Sequence, residues 1–286
     1  TAKTIAVLDR TKEPGANGEP LYLDVKECFY GKENAPVIVG GRYGLGSNDT
    51  TPAQILAVYE NLALPEPKNQ FTLGIVDDVT FTSLPQKEEV AMGGEGMFEA
   101  KFYGLGADGT VGANKNSAKI IGDYAGMYTQ AYFEYDSKKS FGVTKSHLRL
   151  SKKPIRSTYY VKRADFVACH NQSYVRQYDM VQEVKPGGTF LLNTGWTAEE
   201  LDTNLPGAMK RYIASNGIRL FTVDAVEIAH RVGLGSHINT VLQAAFFKIS
   251  GLMPVEQALD YMKDAARKSY ARKGDAVVAD LREATS

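Results

Sequence analysis

From residue 96 onward, short apolar runs alternate with longer amphipathic segments. The runs "AKFYGL", "TQAYFEYD", "ADFVACH", "GGTFLLN" and "IRLFTVDA" predict strands, and "NKNSAKIIGDYAG", "YVRQYDMVQEV" and "PGAMKRYIASN" predict helices between them. The segments "AVEIAHRVG", "NTVLQAAFFKIS" and "PVEQALDYMKDAARKSYAR" predict a helical end. Strands that alternate with helices form a mostly parallel sheet with helices on both faces. The sequence therefore predicts an α/β, Rossmann-like domain over residues 96–286.

The first 95 residues have α/β character but too few elements for a complete doubly wound sheet. "TIAVLD", "APVIVGG" and "FTLGIVDD" predict strands, and "PLYLDVKECFY" predicts a strand that runs into a helix. In "TTPAQILAVYENLAL", Thr51 is the predicted N-cap and Pro52 the first helical residue. The predicted buried stripe of this helix consists of Ile55, Leu56, Val58 and Tyr59. The polar, glycine-rich stretch over residues 83–98 predicts a linker, with a domain boundary near residue 95 and a hinge over residues 91–97.

Composition excludes several classes of protein. Lys plus Arg and Asp plus Glu number 33 each, so no global field favours nucleic acid or an anionic membrane, and a polyanion site must be local. The two cysteines, Cys28 and Cys169, cannot form a disulfide framework or a cysteine-only metal cluster. The sequence has no signal-peptide pattern and no apolar stretch of membrane-spanning length. We expect a soluble protein of the cytoplasm or of a reducing organelle, and its abrupt ends are typical of a piece of a longer polypeptide.

The most informative motif is a G-x-G-x-x-G loop over Gly104–Gly109, which follows a predicted strand and precedes a predicted helix. Glycines let the backbone approach a phosphate closely, and the free N–H groups of a helix start bind the anion. Asp136 ends the next predicted strand, where an acid accepts the ribose hydroxyls of NAD. The pattern by itself favours a dinucleotide site.

Three features point away from NAD. Asp136 lies further along the chain than the usual ~20 residues, and the Asp108 carboxylate would repel a pyrophosphate if it pointed inward. Four polar residues, Asn114, Lys115, Asn116 and Ser117, are predicted to occupy the first helical turn, where such a helix normally has small apolar ones. This cluster indicates side-chain recognition of a polyanion, and the alternative is a solvent-exposed helix start. A thiamine diphosphate motif requires Gly-Asp-Gly followed by asparagine, which the loop does not provide.

The motifs together resemble a known family. "GLGADGTVGANKNSAKIIG", "YFEYDSKKSFGVTKSHLRLSKKPIRSTY", "ADFVACH", "GGTFLLN" and "HINTVLQAAFFKISG" are similar to the gamma-type domain of pyruvate:ferredoxin (flavodoxin) oxidoreductases. "TIAVLDRTKEPGANGEPLYLDV" and "GGRYGLGSNDTTPAQI" resemble the domain before gamma in the long single-chain enzymes. The resemblance implies an internal piece: residues 1–95 are the end of the second domain, and residues 96–286 are the gamma domain.

The resemblance also implies a reaction. The family decarboxylates pyruvate or another 2-oxoacid on thiamine diphosphate with Mg²⁺, passes electrons through [4Fe-4S] clusters to ferredoxin or flavodoxin, and yields acetyl-CoA. The thiamine and cluster domains belong to the rest of the parent enzyme, which is expected to be a homodimer. The gamma domain is associated with coenzyme A as a substrate, so we expect this chain to bind and orient coenzyme A and to carry no catalytic residue or metal.

Ten residues are the predicted contacts to coenzyme A. Arg156 comes from the densest basic run, over residues 147–163, which could instead be a solvated or salt-bridged face. Asn193 ends a predicted strand, and His170, which ends another, is more typical of a hydrogen-bonded structural histidine. The full set is Gly106, Asp108, Gly109, Thr110, Asn114, Lys115, Asn116, Ser117, Arg156 and Asn193.

Two other functions remain open from the sequence. A free-standing NAD(P)-dependent dehydrogenase would use the same glycine loop, and a non-catalytic scaffold subunit would bind no small molecule. Neither nucleic acid nor a membrane is an expected partner. A second glycine loop, over residues 40–47, has Arg42 as its one basic residue, and we interpret it as interdomain packing.

Overall fold

A computed structural model describes residues 2–85, 87–88, 90, 96–137, 142–233 and 238–270, with side chains described as far as residue 265. The chain divides into two compact units, one of residues 1–92 with 157–160 and one of residues 93–156 with 161–286. The first unit contains β1 Thr4–Asp9, α1 Pro20–Phe29, β2 Val37–Arg42, α2 Pro52–Leu62 and β3 Phe71–Thr72. The second contains β4 Met97–Leu105, α3 Thr110–Tyr124, β5 Tyr128–Tyr135, β6 Val143–Ser151, β7 Ala164–Cys169, β8 Val184–Asn193, α4 Ala198–Asn204, α5 Gly207–Ser215, β9 Arg219–Val223, α6 Ala225–Arg231, α7 Asn239–Ser250 and α8 Val255–Tyr270.

The first unit is built on a parallel sheet of order β1-β2-β3. The segment predicted to be a strand running into a helix is helical from Pro20 to Phe29. Proline suits the first helical position, and the Asp9 carboxylate accepts hydrogen bonds from the amides of Leu21 and Tyr22 at 3.0 and 3.1 Å. The end of β1 therefore caps the start of α1.

Helix α2 begins as predicted, with Thr51 at the N-cap and Pro52 at the first position. Of its predicted buried stripe, Val58 is buried as predicted, whereas Ile55, Leu56 and Tyr59 are exposed. The buried face consists of Ala53, Ala57, Val58 and Asn61. The Asn61 side chain bonds both backbone groups of Lys68, which turns this smaller face inward.

The second unit contains a six-stranded sheet of order β5-β6-β4-β7-β8-β9. Strands β4, β7, β8 and β9 pair in parallel, and β6 is antiparallel to both β4 and β5. The mostly parallel α/β sheet is therefore confirmed. Strand β6 was missed, because its charged residues make it look like a basic surface segment.

The pattern of β6 explains how a strand can carry so much charge. Leu148 and Leu150 face the hydrophobic core, whereas His147 and Arg149 point to the other face. Arg149 is fully buried, and its guanidinium bonds Glu99 at 2.9 Å and Gln130 at 3.0 Å. The basic run thus contains a paired, buried arginine, whereas Lys152, Lys153, Arg156, Lys162 and Arg163 are exposed.

Helices cover both faces of the β4-β7-β8 part of the sheet. On one face α3, α7 and α8 pack around Phe102, Phe166 and Leu191. On the other, α5 and two short 3₁₀ turns cover Val167 and Phe190. The helix predicted over residues 174–184 is wrong, because these residues form the end of the turn Gln172–Arg176, the turn Val181–Glu183 and the start of β8.

Glu183, at the end of the second of these turns, is held by strand β4. The Glu183 carboxylate accepts hydrogen bonds from Lys101 Nζ and Tyr103 Oη on β4, both at 2.7 Å.

Helix α4 was not predicted; it begins with a complete capping box formed by Thr197 and Glu200.

The predicted linker is wrong at both ends. Ser83 forms a bridge with Thr72, Leu84 is buried in the first unit, and Met97 already belongs to β4. Residues 86, 89 and 91–95, with most of the predicted hinge, lie outside the described residues. None of the described helices combines the length and apolar character needed to span a bilayer.

Candidate functional site

The glycine loop lies at the topological switch point of the second sheet. Chain order takes β4 through α3 toward β5 on one side, whereas β7 lies on the other side of β4. Ligands of α/β sheets bind at the carboxyl ends of the strands next to such a switch. Gly104–Gly109 at the end of β4 and His170 at the end of β7 meet at this edge.

Two residues of the loop have a left-handed backbone, with φ angles of +72° at Ala107 and +86° at Gly109. Glycine is needed at a further position for a steric reason. A Cβ at Gly104 would lie 2.6 Å from Thr110 Oγ1, so only glycine lets the helix start approach the strand. The Gly106 amide donates to the Gly142 carbonyl at 2.7 Å, which ties the loop to the start of β6.

The Asp108 carboxylate is turned onto the loop itself. It accepts hydrogen bonds from the Leu105 amide at 2.8 Å, the Thr110 amide at 2.7 Å and Thr110 Oγ1 at 2.8 Å. Two of these donors, the Thr110 amide and hydroxyl, are ones that a phosphate would otherwise find at the helix start. Asp108 therefore locks the loop, and its charge makes it unsuited to contact phosphate directly.

Thr110 is the centre of a buried network. Its hydroxyl lies 2.8 Å from His170 Nδ1 and 3.4 Å from Asn239 Oδ1, while Asn239 Nδ2 donates to the Asp108 carbonyl. Since a hydroxyl has one hydrogen, and Asp108 accepts it, His170 Nδ1 must be the donor to Thr110. Burial lowers the pKa of His170 to about 4, against an opposing effect of the Asp108 charge, so the imidazole is neutral near pH 7.

The polar cluster after the loop does not lie in the first helical turn. Because α3 begins at Thr110, Asn114 to Ser117 occupy its second turn, where Asn114 and Ser117 are buried and Lys115 is exposed. Exposed Lys115 lies over the Phe133 ring of β5, with Nζ 5.2 Å from the ring centre. Asn116 lines a surface groove of about 280 Å³ between α3 and α8.

Asn114 and Ser117 face helix α7. Ser117 Oγ accepts a hydrogen bond from Gln243 Nε2 at 3.0 Å, and Thr110 meets Asn239 one α7 turn earlier. Asn114, between these two contacts along α3, is 4% exposed, and its Nδ2 has no hydrogen-bond acceptor within the described part of the chain. A buried donor without an acceptor is rare in folded proteins and calls for an explanation.

Asn193 is connected to this helix start through His170, whereas Arg156 lies away from it. The Asn193 side chain donates to the His170 carbonyl at 2.9 Å and accepts from the Ala225 amide at 3.0 Å, so it joins the end of β7 to the start of α6. Exposed Arg156 lies on the connection from the end of β6 to the start of β7. Both of these strand ends lie at the end of the sheet opposite the glycine loop. Their role in binding stays a prediction.

The sheet order weakens the dinucleotide interpretation. In the sheet that binds NAD, the strand carrying the ribose-binding acid is adjacent to the strand before the glycine loop. Here β6 separates β4 from β5, which moves Asp136 away by one further strand spacing of ~4.8 Å.

Sequence reasoning missed Asn239 and Gln243 as parts of the site. Their signal was available, because they are two amide residues four positions apart near the start of a mostly apolar helix, "NTVLQAAFF". The described residues contain no group of three or more His, Cys, Asp or Glu side chains that could hold a metal ion.

The chain belongs to the pyruvate ferredoxin/flavodoxin oxidoreductase family, whose model matches residues 99–284. It is 55% identical over 278 residues to the pyruvate:ferredoxin oxidoreductase of Moorella thermoacetica. That match covers 97% of this chain and 24% of the relative, so the chain spans about a quarter of the relative's length. The resemblance inferred from the motifs is confirmed.

Solved structures agree on the fold. Pyruvate oxidoreductase subunit PORC from Thermotoga maritima superposes with a TM-score of 0.51 at 19% identity, over 67% of this chain and 93% of that one. A 2-oxoglutarate:ferredoxin oxidoreductase from Magnetococcus marinus, solved with 2-oxoglutarate, coenzyme A and succinyl-CoA bound, has a TM-score of 0.52 at 15% identity, over 67% of this chain and 30% of that one.

Proposed function

We propose that this chain is the coenzyme A-binding part of a pyruvate (2-oxoacid):ferredoxin or flavodoxin oxidoreductase that forms acetyl-CoA, CO₂ and reduced acceptor. The observation that supports the proposal most is the position of Gly104–Gly109, a glycine loop opening a helix at the switch point of the sheet. Family membership makes a 2-oxoacid oxidoreductase the context for that loop.

The chemistry of coenzyme A matches the donors around the helix start. Its phosphates need backbone N–H groups, a cation and neutral donors, and the start of α3 offers amides of its first turn, exposed Lys115 and the Asn114 amide. Of the ten predicted contacts, these carry the proposal. Gly106, Asp108, Gly109 and Thr110 shape the loop. The contacts of all ten residues with coenzyme A stay predictions, those of Asn116, Ser117, Arg156 and Asn193 included.

The described residues do not suit the other groups that the family uses. The carboxylate of Asp108, the one acid in the glycine loop, is fully engaged by its own loop. Cys169 is buried, with Sγ 3.0 Å from the Asn171 carbonyl, and Cys28 belongs to the other unit. We therefore assign thiamine diphosphate, Mg²⁺ and [4Fe-4S] clusters to other parts of the parent enzyme, which would be homodimeric and would pass electrons to ferredoxin or flavodoxin.

The contribution of this chain to the reaction is positional. Holding coenzyme A by its phosphates converts the encounter of its thiol with the acyl intermediate into an intramolecular step. No general base is required of this chain.

Calorimetric titration of the purified chain tests the proposal, with coenzyme A, dephospho-coenzyme A and NADH as ligands. We expect coenzyme A to bind more tightly than dephospho-coenzyme A and NADH not to bind. Lys115→Ala should weaken coenzyme A by about tenfold, the equivalent of one charge-assisted contact. Lys119→Ala, which removes another exposed lysine one turn further along α3, is the matched control. Saturable NADH binding alone would favour a dehydrogenase, and no binding by a folded chain would favour a scaffold.

A further inference from the structure

We propose that Asp108 limits the affinity of the glycine loop for its anionic ligand by acting as a built-in competing anion. The inference rests on the proposed coenzyme A site and names the residue that sets its strength.

The competition follows from which donors the carboxylate uses. Its two oxygens accept from the Leu105 amide, the Thr110 amide and the Thr110 hydroxyl, at 2.7 to 2.8 Å. Thr110 is the first residue of α3, so its amide is one of the donors that the helix start presents to an anion. A fixed negative charge at that position offsets the helix dipole and repels a second anion placed beside it.

A second observation indicates that a ligand belongs at this helix start. Asn114 Nδ2 is buried without a hydrogen-bond acceptor among the described residues, and Asn114 stands one turn after Thr110. Side chains of a helix lean toward its N-terminus, so the Asn114 amide is directed over the first turn of α3. A phosphate oxygen bound at the helix start is the kind of acceptor that this donor lacks.

Asp108 is expected to affect stability and anion binding in opposite directions. Asparagine at position 108 keeps one oxygen to accept from Thr110 but loses the charge and the second acceptor. The loop should therefore be less stable while its affinity for anions rises. A purely structural role predicts the opposite for binding, since a disordered loop binds less well.

The chain offers a matched control in Asp9. Its carboxylate also caps a helix start, accepting from the amides of Leu21 and Tyr22, but it lies in the first unit. Asp9→Asn should lower the thermal midpoint without changing the affinity for coenzyme A.

The experiment titrates coenzyme A and inorganic pyrophosphate into wild type, Asp108→Asn and Asp9→Asn at low and high salt, with thermal unfolding of each. We expect Asp108→Asn to unfold at lower temperature and to bind both ligands about tenfold more tightly at low salt. The gain should shrink at high salt. Asp108→Ser, which keeps a neutral capping oxygen, provides a second test if the asparagine variant does not fold.

The outcomes separate this inference from the function on which it rests. Failure of folded wild type to bind coenzyme A would contradict the proposed function. Binding by wild type, with equal or weaker binding by the folded position-108 variants, would overturn this inference and leave the proposed function intact.

Discussion

The two units each contain a glycine-rich loop near the end of a parallel strand, and the two loops use their glycines differently. In "GGRYGLGS", Gly40 and Gly41 lie inside β2, where a Cβ would overlap the rings of Tyr22 and Phe71. In "GLGADG", Gly104 ends a strand directly before a helix, and a Cβ there would overlap Thr110. The first pair permits packing of a core, whereas the second permits a helix start to approach a strand.

The helix starts of the two units differ in the same sense. The start of α1 is closed by both oxygens of Asp9. At the start of α3, Asp108 occupies the Thr110 amide, and the buried Asn114 amide has no acceptor among the described residues. Glycine content therefore does not identify a ligand site by itself. A site also requires a helix that begins directly after the loop and hydrogen-bond donors without acceptors at the start of that helix.

The largest expected effects come from adding one methyl group to each loop. Gly41→Ala should destabilise the chain by about 1–3 kcal/mol, because the Cβ would enter the fully buried Phe71 ring. Gly104→Ala should have a similar cost by displacing Thr110. Urea unfolding measures both. Of the two variants, only Gly104→Ala should lose affinity for coenzyme A. An equal loss in Gly41→Ala would contradict the distinction between a packing glycine and a glycine of the ligand site.

Two threonines at helix starts sharpen the contrast. Thr110→Val removes the hydroxyl shared by Asp108 and His170, and we expect a loss of about 1–3 kcal/mol in unfolding free energy. Thr51 Oγ1 at the start of α2 is buried without a hydrogen-bond partner among the described residues. Thr51→Val should therefore leave stability unchanged or raise it slightly. A large loss of unfolding free energy in Thr51→Val would show that the Thr51 hydroxyl also stabilises the start of α2.

Acid should weaken the second unit through His170. Burial lowers the pKa of His170 from 6.5 to about 4, so between these values the unfolded chain binds more protons than the folded chain. Unfolding free energy should therefore fall as pH decreases from about 6.5 to 4. In His170→Asn this decline should be shallower, and His147, whose pKa burial also lowers, contributes to what remains. Identical pH profiles for both proteins would contradict the buried, neutral assignment.

The smallest expected effect is a gain. Gly112 lies inside α3, and a Cβ there would meet no atom within 4 Å. Gly112→Ala should stabilise the chain by about 0.5–1 kcal/mol through helix propensity, read as a higher thermal midpoint. A lower midpoint would mean that the start of α3 requires the freedom of glycine at this position.

The sequence predicts the elements whose apolar residues recur with a clear period. It does not predict the elements that bury charged residues. The pattern of "NTVLQAAFFKIS" predicted α7 with its actual ends, Asn239 and Ser250. Strand β6 could not be recognised, because the partners of Arg149 are Glu99 and Gln130, which are distant in sequence. For the same reason, the pattern located the glycine loop but not the contacts of Thr110 with His170 and Asn239, which depend on three elements meeting at one edge.

Hydrogen–deuterium exchange of the chain with and without saturating coenzyme A would show whether the glycine loop of the second unit holds the ligand. We predict slower exchange at the amides of residues 106–112, around the start of α3. We predict no change over residues 40–47, the other glycine loop. Protection of the first-unit loop instead, or no protection at the start of α3 while coenzyme A is bound, would contradict the assignment of the site.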